Sequence, residues 1–323
     1  MAQLLRAMVV LLFAVLPCTH TALAQPFPSR AIRIVVPFPP GGTSDILSRS
    51  IGQKLAEEWG QPVITDNRPG AAGNVASDYV AKSKGDGYTL YINTVGTHAI
   101  NPAIYAKLAF DPLKDFTAIT NLVNLPSVLL VHPSVPARNV KELIALAKRR
   151  PGDLLYSSAG SGAQPHLTAE MFKSMAGVNL LHVPYKGAGP QMIALISGEA
   201  ALTFATAPSG VPLAKNGQAR AIGVTSAARI PALPEVPTIH ETVPGYIAVG
   251  WNGLMGPAAM PASVLEKIHA TVSKIVRQPE MHDRLIGLGA EPALSTPAEF
   301  ADLIKSEIVK WAKVVKDSGA KLD

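Results

Sequence analysis

Two glycine-rich turns, each placed between an apolar strand and a helix, are the part of this sequence best suited to bind a ligand. The first, called here the first loop, comprises residues 37–45 and follows the apolar run 32–36. The second loop comprises residues 158–166 and follows residues 153–157. Backbone N–H groups at a helix N-terminus lack an intrahelical acceptor, and the aligned peptide dipoles favour negative charge there. Two such loops in two halves of one chain predict a ligand with a carboxylate at each end.

Purely structural explanations account for part of this pattern. Pro-Gly pairs form tight turns wherever they occur, and Ser44 or Asp45 is a common helix cap. It is the second loop, built in the same way, that favours a binding role. Lys186 lies in the strand, turn and helix start at 183–190, where it either adds positive charge to a cleft or is simply solvated. His166 is the single histidine that falls in a predicted binding loop, whereas Trp251 is expected to pack in the core or at a hinge.

Other kinds of site lack the residues they need. Gly160-Ser161-Gly162 has neither the third glycine nor the later acidic residue of a dinucleotide-binding fingerprint. No P-loop lysine follows either loop, and Ser161 lacks the glycines two residues to each side that mark a hydrolase nucleophile. The sequence has no H-E-x-x-H motif and no cysteine or histidine pair at metal-ligand spacing. We therefore expect no catalytic residue, no metal and no cofactor.

Residues 1–24 have the pattern of a secretory signal peptide. Arg6 precedes an apolar segment at 7–17, and Ala22-Leu23-Ala24 fits the small-residue cleavage rule. We expect cleavage after Ala24 and export to the periplasm. Cys18 is the single cysteine of the chain, so the mature protein would contain none.

Composition excludes two further classes of protein. The formal net charge is +6, but the basic residues are scattered and are not interleaved with aromatic residues, which argues against nucleic-acid binding. After the leader, no apolar run reaches the roughly 18 residues of a membrane span. A mild positive field favours small anions instead.

Short β-branched runs alternate with amphipathic stretches, which predicts an α/β fold with mostly parallel sheets. The predicted strands are 32–36, 62–65, 88–92, 116–131, 154–157, 180–183, 201–205, 219–225 and 249–255. The predicted helices are 44–58, a helix from the turn at 67–74 to about 82, 140–148, 167–176, 189–198, 264–276, 283–288 and 297–316.

The long strand at 116–131 is predicted to cross from one domain to another, and the strand at 249–255 to return. Domain 1 is then discontinuous, comprising 25–124 plus 249–323, and domain 2 comprises 125–248. Two crossing strands beside an interdomain cleft are typical of a hinge-closing binding protein. The stretches 123–129 and 250–255 are the expected hinge.

The whole mature chain resembles the tripartite tricarboxylate transporter receptors, the Bug family of periplasmic solute-binding proteins. The resemblance rests on Val36-Pro37-Phe38-Pro39-Pro40-Gly41-Gly42 with Asp45, and then, in order, on residues 66–74, 86–90, 156–162, 182–187 and 233–238. Each motif is weak alone, but the ordered set is specific.

The resemblance implies a two-domain venus-flytrap fold of the periplasmic-binding type, with the ligand in the cleft between the domains. It implies a small carboxylate ligand held by the two loops, largely through backbone N–H groups and ordered waters. We expect a monomer that presents the ligand to transporter membrane subunits, although receptors without a dedicated membrane partner are also common in the family. The candidate ligand-binding residues are Phe38, Pro40, Gly41, Gly42, Thr43, Ser44, Asp45, Ser158, Ala159, Gly160, Ser161, Gly162, Gln164, His166, Tyr185, Lys186 and Phe204.

In one respect the chain departs from the family. Members often carry acidic residues where this chain has Ala201-Leu202 and Phe204-Ala205. If those carboxylates meet an amino group, an amino acid is a less expected ligand here. Two alternatives stay open at this stage, a ligand-sensing subunit of a signalling system and a secreted α/β enzyme using the same cleft.

Overall fold

The structure is a computed structural model that describes residues 27–318. The predicted signal peptide, its cleavage site and Cys18 lie outside the described residues, so those expectations stay predictions. Among residues 27–318, no helix is long and apolar enough to cross a membrane.

Within the described residues, ten strands are connected by hydrogen bonds in one curled sheet. They are β1 (Ile32–Val36), β2 (Val63–Asn67), β3 (Thr89–Thr94), β4 (Phe116–Val131), β5 (Leu155–Ser158), β6 (Leu181–Pro184), β7 (Leu202–Thr206), β8 (Arg220–Val224), β9 (Val249–Pro257) and β10 (Glu291–Pro292). The spatial order is β2-β1-β3-β9-β4-β7-β5-β6, and β8 and β10 also pair with β4.

Helices connect most of these strands. They are α1 (Thr43–Trp59), α2 (Asn74–Ala81), α3 (Asn101–Ile104), α4 (Val140–Arg149), α5 (Gln164–Ala176), α6 (Ala188–Ile196), α7 (Ala207–Lys215), α8 (Ala262–Val276), α9 (Pro279–Gly287) and α10 (Pro297–Ser318). In α1, Leu47, Ile51 and Leu55 recur every fourth residue and are buried against the sheet, as the helical period requires.

The sheet has two parallel halves. Strand β1 pairs in parallel with β2 and β3, and β5 pairs in parallel with β6 and β7. We call these halves the first lobe and the second lobe. The expectation of mostly parallel pairing is correct within each half but wrong at their junction, because β4 and β9 pair antiparallel with each other and with their neighbours.

Strand β4 belongs to both halves. Its residues from Phe116 to Pro126 pair with β9, and those from Ser127 to Val131 pair with β7 and β8. Leu125 lies opposite Gly250 where the two strands pass between the lobes. The bounds predicted for this strand agree with the structure, whereas the domain boundaries at 124/125 and 248/249 stay a prediction.

Each half of the sheet is covered on both faces, as parallel sheets require. In the first lobe, Ile34 and Val272 belong to the cluster on one face, and Tyr91 and Trp311 to the cluster on the other. In the second lobe, Leu129 belongs to the apolar cluster on one face of the sheet, and Leu130 belongs to the cluster on the other face. Helix α5 begins at Gln164, three residues before its predicted start, which places its first turn directly after the second loop.

Candidate functional site

A cavity of about 150 Å³ lies between the lobes, and we call it the inner cavity. The first loop lines it from one side, and the starts of α5, α6 and α7 line it from the other. Leu125 and Asn252, on the two crossing strands, also line it. The predicted site residues in its wall are Phe38, Pro40, Gly42, Thr43, Ser44, Ala159, Gln164 and Lys186.

Four helices point their N-termini at the inner cavity. Their N-cap residues are Gly42 for α1, Ala163 for α5, Gly187 for α6 and Thr206 for α7, and all four line the cavity. None of these helices has a side-chain hydrogen bond at its cap. Asn139 caps α4, which does not reach the cavity, but α2, α3, α8 and α9 also lack a side-chain cap bond. What distinguishes the four helices is that their N-termini meet at one cavity.

The first amides of these helices lie outside the intrahelical ladder. In α1 the first intrahelical bond runs from Ile46 N–H to Gly42 O at 3.0 Å, so the amides of Thr43 and Ser44 precede it. In α6 the equivalent bond runs from Gln191 N–H to Gly187 O at 3.3 Å, which leaves the amide of Ala188 in the same position. Such orphan donors, with the dipole behind them, bind an anion.

The charges around the inner cavity agree with an anionic ligand. Among residues 27–318, Lys186 is the one lysine or arginine that lines it, and no aspartate or glutamate does. An ammonium group on a ligand would therefore meet no carboxylate in the wall. Ala201, Leu202, Phe204 and Ala205, where family members often carry acidic residues, line neither cavity, so their types do not bear on the ligand in this structure.

Asp45 is turned inward and holds the first loop together. Its Oδ2 accepts hydrogen bonds at 3.0 Å from Gly41 N–H and from Arg49 Nε, and its side chain is buried. Burial alone would raise the pKa of Asp45, but the bonds from Arg49 and Gly41 outweigh that effect and hold it below its usual value. Gly41 has a φ of 86°, a conformation that favours glycine; it is exposed and lines neither cavity.

The polar side chains of the second loop have a similar supporting role. His166 Nδ1 accepts a hydrogen bond from Gly162 N–H at 3.0 Å, and its ring stacks on His182 with the centroids 4.0 Å apart. Ser158 Oγ lies 2.6 Å from His182 Nε2 and accepts a bond from Gly160 N–H at 3.2 Å. These contacts fix the backbone of the loop.

Three contacts connect the site to the hinge strands and to the opposite lobe. Thr43 Oγ1 lies 3.3 Å from Thr206 Oγ1, so the loops of the two lobes touch across the cavity. Asn252 Nδ2 on β9 donates to Ser44 Oγ at 2.9 Å. Gln164 Nε2 donates to the carbonyl of Leu125 on β4 at 3.1 Å. Any rotation about the crossing strands therefore changes the geometry of the cavity.

A larger cavity of about 790 Å³ adjoins the inner one, and we call it the outer cavity. It lies between residues 69–73 of the first lobe and the second loop with Tyr185 of the second lobe. Three predicted site residues line the outer cavity alone: Gly160, Ser161 and Tyr185.

The remaining candidates line neither cavity; they are Gly41, Asp45, Ser158, Gly162, His166 and Phe204. The position of Phe204 in particular is incompatible with ligand contact. It is fully buried and packs between Phe172 and Tyr246 in the core of the second lobe. On strand β7 its side chain faces the core, because alternate residues of a strand point to opposite sides.

Sequence reasoning missed several wall residues. They are Pro39, Thr94, Gly96, Leu125, Ala163, Pro165, Gly187, Ala188, Gly189, Pro190, Gln191, Thr206 and Asn252. For some, the sequence contained a signal. Proline is favoured in the first turn of a helix, so Pro208 marks the start of α7 after β7, and Pro190 that of α6.

Curated relatives align along nearly the whole chain. A protein encoded between tcbD and tcbE in Pseudomonas sp. strain P51 is 38% identical over 299 residues, which cover 92% of this chain and 89% of the relative. Protein BugT of Bordetella pertussis is 31% identical over 301 residues, covering 93% and 92% of the two chains.

Solved structures share the fold. R. palustris Rpa4515 with adipate is 38% identical, covers 92% of this chain with all of its own length, and superimposes with a TM-score of 0.89. The periplasmic binding protein BugD is 29% identical over 92% of this chain and its own full length, with a TM-score of 0.86. MatC of Rhodopseudomonas palustris with malate is 32% identical over 90% of this chain and its own full length, with a TM-score of 0.83. These structures confirm the predicted two-domain periplasmic-binding fold.

The family described as "Tripartite tricarboxylate transporter family receptor" matches residues 47–320. That match, with the Bug relatives, confirms the resemblance carried by the sequence motifs. It also confirms that the chain is a solute-binding receptor rather than an enzyme. The chain belongs to the tripartite tricarboxylate transporter receptor family.

Proposed function

We propose that this protein binds a small dicarboxylate in the inner cavity and delivers it to a tripartite tricarboxylate-type membrane transporter. The observation that carries the proposal is the convergence of four uncapped helix N-termini on a cavity without acidic residues. An anion is the ligand that such a group of orphan amides and aligned helix dipoles favours most. The structures of relatives with adipate and with malate, both dicarboxylates, support this ligand class.

The amides of Thr43 and Ser44 are the proposed donors to one carboxylate, and those of Ala188 and Gly189 to the other. The two pairs belong to opposite lobes and line one cavity. Phe38 and Leu125 offer an apolar wall to the carbon chain between the carboxylates. Among the predicted residues, Gly41, Asp45, Ser158, Gly162 and His166 then support the loops without touching the ligand.

The cellular setting follows from the same proposal. Family relatives are periplasmic, so we propose export by the leader at residues 1–24 and cleavage after Ala24. Rotation of domain 1 (25–124 plus 249–323) against domain 2 (125–248) about β4 and β9 would open and close the cavity. We propose that the receptor works as a monomer.

Binding is tested with protein purified from the periplasm without refolding. Native mass spectrometry detects a ligand that stays bound, and calorimetry of the stripped protein with succinate, malate and adipate measures affinity. We expect at least one of them to bind with a Kd of about 1 µM, which corresponds to about −8 kcal/mol. Failure of every dicarboxylate, or a bound compound that is not an acid, would contradict the proposal.

A further inference from the structure

The inner and outer cavities meet at a neck formed by both lobes. Five residues line both cavities: Phe38, Pro39, Ala159, Lys186 and Gly187. The lobes approach closely here, since a Cβ built on Gly187 would lie 3.5 Å from the ring of Pro39. A ligand longer than the inner cavity has to leave it through this neck.

The neck suits a hydrocarbon chain better than a charged group. Phe38, Pro39 and Ala159 present apolar side chains to both cavities. A cavity of about 150 Å³ takes a molecule about as large as benzene. An acid with a longer chain therefore fits only if its methylene groups continue into the neck.

The outer cavity has the groups that a second carboxylate needs. Tyr105 and Ser161 line it with Lys186, so hydroxyl-bearing side chains and an ammonium belong to its wall, whereas the Tyr185 hydroxyl is buried and interacts with Glu199. Among residues 27–318, no aspartate or glutamate lines the outer cavity. Lys186 is exposed and forms no ion pair among residues 27–318. An ammonium without a protein counter-ion, beside an apolar neck, is placed to pair with a ligand anion.

We propose that the outer cavity is a second anion subsite, which takes the distal carboxylate of linear dicarboxylates longer than adipate. The proximal carboxylate binds the helix N-termini of the inner cavity, the chain occupies the neck, and the distal carboxylate pairs with Lys186. This inference rests on the proposed function, because it assumes that the inner cavity binds the first carboxylate.

The test is calorimetry with three acids and two variants. Succinate fits the inner cavity alone, suberate reaches through the neck, and octanoate has the chain of suberate without its distal carboxylate. Lys186→Met removes the proposed partner. Lys215→Met is the matched control, because it removes one exposed positive charge at the end of α7, and Lys215 lines neither cavity.

We expect the wild type to bind suberate about tenfold more tightly than octanoate, since a charge-assisted bond adds about that much. Lys186→Met should weaken suberate about tenfold and succinate less than about threefold, while Lys215→Met leaves both within about twofold. Added salt should reduce the difference in affinity between suberate and octanoate, because the subsite is open to solvent and the ion pair is screened.

Three results would overturn the inference. Succinate binding without suberate binding would show that the outer cavity is not used, while leaving the proposed function intact. Equal weakening of both acids by Lys186→Met would show that Lys186 acts on the proximal carboxylate or through the general field. If no dicarboxylate binds the wild type, the inference and the proposed function fail together.

Discussion

His166 Nδ1 accepts a hydrogen bond from Gly162 N–H at 3.0 Å, while its ring stacks on His182. The accepting nitrogen carries no proton in this geometry, so His166 fixes the second loop as a neutral acceptor. Neither His166 nor Gly162 lines the inner or the outer cavity. His166 therefore acts on the ligand through the backbone it holds.

Replacing His166 with phenylalanine separates stacking from hydrogen bonding. The ring is kept and the acceptor is lost, so a buried N–H becomes unsatisfied at a cost of about 1–3 kcal/mol of unfolding free energy. Because the loop is then free to move, we expect dicarboxylate affinity to fall about tenfold. Chemical denaturation and calorimetry check this, with His282→Phe on the surface as the control. Unchanged affinity would show that the loop does not need His166.

The contact between Thr43 and Thr206 predicts that ligand binding closes the cleft. These side chains come from opposite lobes and lie 3.3 Å apart, a separation that hinge opening at β4 and β9 would increase. We expect the radius of gyration from X-ray scattering to decrease when adipate is added to the stripped protein. A curve that does not change at saturating adipate would contradict a hinge mechanism.

The sequence predicted the loops and the crossing strand because their signals are local. Glycine turns after apolar runs mark the loops, and the apolar length of β4 marks a strand that serves two lobes. Helix α7 was missed because Pro208 and Pro212 are normally helix breakers, although Pro208 occupies the first turn, where proline is tolerated. The helical segment Gly96–Ile100 was also missed, since its bulged geometry has no simple sequence period.

Parts of both predicted loops line the cavities, but several of their side chains do not face them. Asp45 and His166 lie in the predicted loops, yet both hold backbone N–H groups behind the wall. Side-chain direction decides between support and contact, and it depends on the packing of distant strands. Asn252 is the opposite case, because it reaches the cavity only through the pairing of β9 with β3 and β4.

His98 predicts that the protein loses stability in mild acid. The side chain is fully buried, its ring lies edge-on to Phe116 at 4.7 Å, and burial lowers its pKa to about 3. The unfolded chain takes up this proton near pH 6.5, the ordinary value, while the folded protein does not. The stability that the neutral, buried His98 gives the folded protein is therefore fully present above pH 6.5. The free energy of unfolding then decreases as the pH falls from 6.5 towards 3.

The expected slope is about 1.4 kcal/mol of unfolding free energy per pH unit within that range. Urea denaturation at a series of pH values measures it. His98→Gln should flatten the profile, and the exposed His282→Gln should leave it unchanged. A wild-type profile that is already flat between pH 6 and 4 would contradict the buried neutral state of His98.

Gly250 is predicted to be essential for the packing of α5 on the hinge. A Cβ at this position would overlap the side-chain amide of Gln164, which donates to the Leu125 carbonyl. Gly250→Ala should therefore cost about 1–3 kcal/mol of unfolding free energy, the usual penalty for overpacking. In a Gln164→Ala background the same change should cost less, since the overlapping atoms are gone. Denaturation of the four proteins gives the coupling energy, and additivity would contradict the clash.

Gly42 provides the sharpest test of recognition by backbone amides. Its φ of −83° and ψ of 170° suit any residue, and a Cβ there meets only Pro39 O, at 3.9 Å. Valine should keep the fold at a cost of about 1 kcal/mol, because glycine is favoured over valine at a helix N-cap. Its side chain would enter the inner cavity beside the amides of Thr43 and Ser44, so dicarboxylate affinity should fall at least about tenfold, or about 1.4 kcal/mol.

The matched control is Gly287→Val. Gly287 is exposed at the end of α9, has no positive φ, and a Cβ there meets nothing within 4 Å. This variant should bind like the wild type and contract at the same adipate concentration, whereas Gly42→Val should need at least about ten times more adipate to contract. If Gly42→Val binds normally while Thr43→Val, which removes only a hydroxyl, abolishes binding, then side chains rather than helix amides hold the carboxylate.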